Sequence, residues 1–75
     1  MKYAPMSGKT VMKVLENQGW FLNNSNGRHR VFVRFDRDGH VTVPDHKELQ
    51  VGTLRSIIKQ SGMTLEEFYV IANQV

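Results

Sequence analysis

The sequence predicts an α+β domain in the order αβββα with one further short helix at the end. Three observations carry this. Apolar residues recur at helical spacing in residues 8–18, alternate as in a strand around residues 29–43, and return to helical spacing from residue 53 onward. Clusters of Asn, Asp and Gly separate the alternating runs by a few residues each, which favours an antiparallel meander over parallel crossovers. Residues 1–75 read as a single domain, with 1–6 a loose leader and 63–75 a C-terminal helical extension.

Each element follows from local chemistry. Helix one is expected over Gly8–Gln18, with Ser7 as its cap and Val11, Val14 and Leu15 on its buried stripe. Gly19 stands where a left-handed C-terminal cap falls. "WFL", 20–22, reads as a short strand, and "NNSNG", 23–27, as the turn after it. "HRVFVRF", 29–35, alternates, with Val31, Val33 and Phe35 on one face and Arg30, Phe32 and Arg34 on the other. "DRDG", 36–39, reads as a hairpin turn, and "HVTVP" as the return strand, ended by Pro44. The core-facing side of the sheet is expected from Val31, Val33, Val41 and Val43, with Trp20 and Phe35 closing its ends. After a polar connection, "DHKELQVG", a second helix begins near Thr53, buries Leu54, Ile57 and Ile58, and stops at Gly62. "TLEEF" is a capping box, opening a third helix on Leu65, Phe68, Tyr69 and Ala72.

Composition narrows the function. A chain of 75 residues buries only about 60% of its unfolded surface and has no room for a deep cavity between domains. It has no cysteine, which excludes disulfides and thiolate metal sites and suits a reducing, cytoplasmic setting. No apolar run is long enough to span a bilayer, and "MKYAPMSGKT" lacks the apolar stretch of a signal peptide. The formal charge is +3, but unevenly placed. Residues 1–62 carry all ten Lys and Arg against five Asp and Glu, a formal +5, whereas residues 63–75 carry only Glu66 and Glu67. A basic body fits an anionic partner such as nucleic acid; ordinary surface charge is the plainer reading.

Few motifs carry chemistry. "SGKT", 7–10, is the tail of a phosphate-binding loop, but that loop needs a glycine at position 3, which is Tyr. His29, His40 and His46 have no compact metal-ligand spacing, so no metal or other cofactor is expected. Ser7, Ser25, Ser56 and Ser61 fit caps and surfaces. His29 stands apart, because Arg28 and Arg30 flank it at the mouth of a strand. An imidazole exchanges protons near neutral pH, and arginines grip phosphate oxygens. A base that takes a 2′-OH proton, with cations on the transition state, is close to the minimum for metal-independent RNA cleavage. By strand parity His29 should point toward the core layer, although at the strand's start it can sit at the rim. Lys9, Lys13, Lys47, Arg55 and Lys59 are the further candidates for phosphate contact, each with a solvated surface role as its alternative. Lys47 and Arg55 flank the start of helix two, whose N-terminus favours anions.

Taken together, "SGKTVMKVLENQGW", "NGRHRVF", "VTVPDH" and "GTLRSIIKQSGMTLEEF" resemble the HicA toxin family, in order and at matching spacing over about residues 7–68. The resemblance implies a double-stranded-RNA-binding-domain-like fold and a ribosome-independent mRNA interferase, neutralised by a HicB-type antitoxin encoded beside it. The family's catalytic histidine lies in a Gly-Ser-His segment, which corresponds here to Gly27, Arg28 and His29. Arginine replaces the usual serine; it can contact a phosphate but does not readily orient the imidazole. His46, in "VPDH", occupies a recurrent family position and is an accessory candidate without an assigned role. The alternatives to a nuclease are an RNA-binding module of the same fold without catalysis, and a protein whose main role is to bind its antitoxin.

Overall fold

The computed structural model describes residues 4–75. The elements are α1 (Gly8–Asn17), β1 (Phe21–Asn26), β2 (His29–Arg34), β3 (Arg37–Pro44), α2 (Val51–Ser61) and α3 (Leu65–Ala72). The three strands form one antiparallel sheet in the order β1-β2-β3. The αβββα order and the C-terminal helix are as the sequence predicts. Helices α1 and α2 pack on β3, and α3 packs on α1. Among the described residues no helix is long and apolar enough to cross a membrane.

The helix boundaries follow local chemistry closely. The Ser7 hydroxyl accepts the Thr10 N–H at 3.2 Å, capping α1. Val11, Val14 and Leu15 are fully buried, and Gly19 takes a positive φ of 94° just beyond the helix. Gly62 ends α2 in the left-handed conformation, φ 79°. At the start of α3 the capping box is complete: Glu67 N–H donates to Thr64 Oγ1 at 3.1 Å, and Thr64 N–H to Glu67 Oε1 at 2.9 Å. These Thr64 contacts hold the Glu67 carboxyl below its ordinary pKa. Phe68 is buried, with Leu65, Tyr69 and Ala72 packed half-buried beside it. Helix α2 begins at Val51, two residues before the expected Thr53, and its cap Gln50 makes no side-chain bond.

The strands depart further from expectation. β1 continues through "NNSN" to Asn26, and the turn is only Gly27–Arg28, with Gly27 at φ 62°. A positive φ at the first of two loop residues is what a tight type II′ hairpin takes. Asn23 is an extra residue on β1, between the pairs Leu22–Phe32 and Asn24–Val31. The second turn falls at Phe35–Asp36, not at 36–39, so β3 starts at Arg37. Gly39 (φ 86°) lies inside β3, where Asp38–His40 bulge opposite Val33.

The inward face of the sheet is also the other one. Phe32 is 2% exposed and pairs with the buried Val41, while Val31 and Val33 are only half-buried. Cross-strand partners share a face, so Val41 and Val43 against the helices carry Phe32 and Arg30 with them. Phe35 does not close the core; in its turn it is 95% exposed. Trp20 does, buried and with the Arg37 guanidinium 5.8 Å from its ring centroid. Arg37 also donates to Ser61 O at 2.9 Å, tying β3 to the end of α2.

The expected loose leader stops short of residue 6. Met6 belongs to the core, and its carbonyl accepts the Leu49 N–H at 2.9 Å. Tyr69 Oη donates to Ala4 O at 2.8 Å. The rest of that expectation, residues 1–3, lies outside the described residues.

Candidate functional site

At the end of the sheet where β2 begins and β3 stops, three backbone segments converge. Gly8 N–H donates to His46 O at 2.9 Å, joining the first turn of α1 to the β3–α2 connection. Asp45 N–H donates to Arg28 O at 2.6 Å, joining that connection to the β1–β2 turn. A Cβ on Gly8 would collide with Pro44 O and come within 3.2 Å of the Asp45 Cα and the His46 nitrogen. Only glycine permits this approach. In this fold "SGKT" supplies a helix cap and a close backbone crossing.

Between these segments lies an open cleft of about 570 Å³, lined by Ser7, Lys9, Arg28, Arg30, Asp45, His46 and Lys47. Four cations face one carboxylate. Asp45 is engaged by Arg30, whose Nη2 lies 3.5 Å from Asp45 Oδ2 and whose Nη1 donates to Gly27 O at 2.5 Å. Arg30 therefore braces the turn. Among the described residues Lys9, Arg28 and Lys47 have no ion-pair partner, so three cations are free to meet an anion.

His29 opens β2, exposed, between the cross-strand partners Asn26 and Pro44. It shares parity with Val31 and Val33, so it projects on the face away from the helices and does not line the cleft. Its two sequence neighbours do. An exposed imidazole and a cationic cleft thus lie on the two sides of one strand end, joined through Arg28 and Arg30.

Of the residues singled out in the sequence, the fold gathers Lys9, Arg28, Arg30, His46 and Lys47 at the cleft. Lys13 lies one turn further along α1, and Arg55 and Lys59 are exposed one turn apart on α2; none of the three lines the cleft. Sequence reasoning missed Asp45 as a wall of the site and Ser7 as more than a cap. The signal for Asp45 was its place after a strand-ending proline, next to His46.

Fold and site define a small α+β protein of αβββα order, with a cationic cleft at the end of its sheet. A family model described as the HicA toxin of bacterial toxin–antitoxin matches residues 8–63 of the 75. The chain belongs to the HicA toxin family. No curated protein matches it. The matched span covers α1, the whole sheet and α2, and stops before α3.

Proposed function

We propose that this toxin is an mRNA interferase, a metal-independent endoribonuclease of the cytoplasm. His29 takes the proton of a 2′-OH, and the oxygen attacks the adjacent phosphorus. The bond to the 5′-oxygen then breaks and that oxygen takes a proton from water, leaving a 2′,3′-cyclic phosphate and a 5′-hydroxyl, while His29 returns its proton to solvent. Arg28, in the turn beside His29, borders the reacting phosphate, Arg30 braces that turn through Asp45 and the Gly27 carbonyl, and Lys9 and Lys47 hold the backbone in the cleft. Lys13, Arg55 and Lys59 extend the positive field along the two helices. The observation that supports this most is the family membership of a chain that sets an exposed histidine between two cleft arginines.

The partner that silences it is proposed to be a HicB-type antitoxin. Acidic side chains on that partner would meet the same +5 body that attracts RNA. His46 lines the cleft and stays the accessory candidate of the site. The test is cleavage of RNA by the purified protein with a chelator present. Wild type should cleave, and His29→Ala should lose about 10²–10⁴ in rate with its melting midpoint unchanged. Full activity of His29→Ala would remove the histidine from the mechanism. Binding without cleavage by wild type would favour the reading of an RNA-binding module.

A further inference from the structure

The face of the sheet away from the helices carries an apolar strip. Phe21 is 38% exposed and Phe35 95% exposed, with ring centroids 4.9 Å apart and planes tilted by 40°. Phe21 pairs with the half-buried Val33, and Val31 continues the row toward His29. Apart from its contact with Phe21, the Phe35 ring sits almost wholly in water. On the same face Asn24 and Asn26 lie across from Val31 and His29.

We propose that this face is a stacking platform for the bases of single-stranded RNA, with Phe35 and Phe21 as its rings. The inference rests on the ribonuclease reading and adds a base-binding subsite: the bases of the strand lie across the sheet while its backbone reaches the cleft. Three features favour bases over a protein surface. The strip consists of Phe21 and Phe35 with the half-buried Val31 and Val33, whereas a stable protein interface takes about 20–30 residues a side. Asparagine amides border it, and these can donate to and accept from base edges. It is also continuous with His29. Val33 lies four residue steps along β2 from His29, a span of about 13 Å at the antiparallel rise. Paired RNA keeps its bases stacked inside the duplex and cannot offer them to the rings.

The test uses full-length protein and a 2′-O-methyl oligonucleotide, which lacks the attacking hydroxyl and is not cleaved. A second oligonucleotide has the same backbone but abasic sites over the platform. Phe35→Ala should weaken binding of the first by about tenfold, as the loss of one base–aromatic stack implies. It should leave binding of the abasic strand and the melting midpoint unchanged, and Phe35→Trp should restore affinity. Equal affinity of wild type and Phe35→Ala for the base-bearing strand would overturn the proposal. So would a loss shared equally by the abasic strand, or a loss of antitoxin binding with RNA binding intact. Stacking without any cleavage would overturn the nuclease reading and leave the platform standing; cleavage by a wild type that Phe35→Ala matches in RNA affinity would do the reverse.

Discussion

At Gly8 the backbone of α1 comes so close to the Pro44–His46 segment that no side chain fits between them. The contact brings Lys9, one residue on, across from His46 and Lys47. A methyl group there has only backbone to push against, and backbone held by the Gly8–His46 and Asp45–Arg28 bonds cannot yield cheaply. Gly8→Ala is expected to destabilise the fold by about 1–3 kcal/mol, the range for overpacking a tight site. Because the displaced segment is a cleft wall, RNA affinity should fall as well. Urea unfolding and a binding titration check both; a wild-type midpoint would mean that the crossing relaxes freely. Gly52, with nothing within 4 Å of an added Cβ, is the control position, at which alanine should be tolerated. The sequence places a glycine beside a cap at position 8, but its reason is a crossing with a segment 36 or more residues away, which local spacing does not encode.

Strand β2 shows which parts of the fold are legible in the sequence and which are not. Its existence and extent are plain from alternation, yet the face it buries is not, because both faces carry large apolar groups. One has Val31 and Val33, the other Phe32. A count of apolar residues favours the valines. The structure chooses Phe32, because register with Val41 is set by the Phe35–Asp36 turn and by the bulge at Asp38–His40. The same exchange puts His29 on the open face and Arg30 against Asp45, so an error in strand parity becomes an error in the site. Helix stripes, caps and Gly62 depend on neighbours three or four residues away, and these were readable. Phe32→Ala should therefore cost about 3–5 kcal/mol, as for a buried phenylalanine. Val33→Ala, half-buried on the open face, should cost well under half as much. Thermal or urea unfolding of the two variants decides the matter, and a larger loss at Val33 would reverse the assignment of faces.

Over the whole molecule the positive charge is spread on α1, the sheet's end and α2, but the fold concentrates only part of it. Lys9, Arg28 and Lys47 face one cleft without ion-pair partners, while Arg30 is engaged by Asp45 and Arg34 by Asp36. Lys13, Arg55 and Lys59 stand outside the cleft on exposed helix faces. A bound strand releases counterions for each phosphate it brings against a cation, so salt dependence counts the cations that touch RNA. If the three free cleft cations make those contacts, the logarithm of the binding constant should fall with the logarithm of salt at a slope of about −2, from roughly −0.7 per contact on single strands. Lys9→Ala and Lys47→Ala should each reduce the slope by about 0.7. The measurement is a salt titration of binding to an uncleavable oligonucleotide, repeated for Arg55→Ala and Lys59→Ala. Should the α2 variants change the slope as much as the cleft variants do, the strand runs along both helices and the outer cations are direct contacts. If only Lys9 and Lys47 change it, the cleft takes the backbone, and the α2 cations act through the long-range field that speeds encounter.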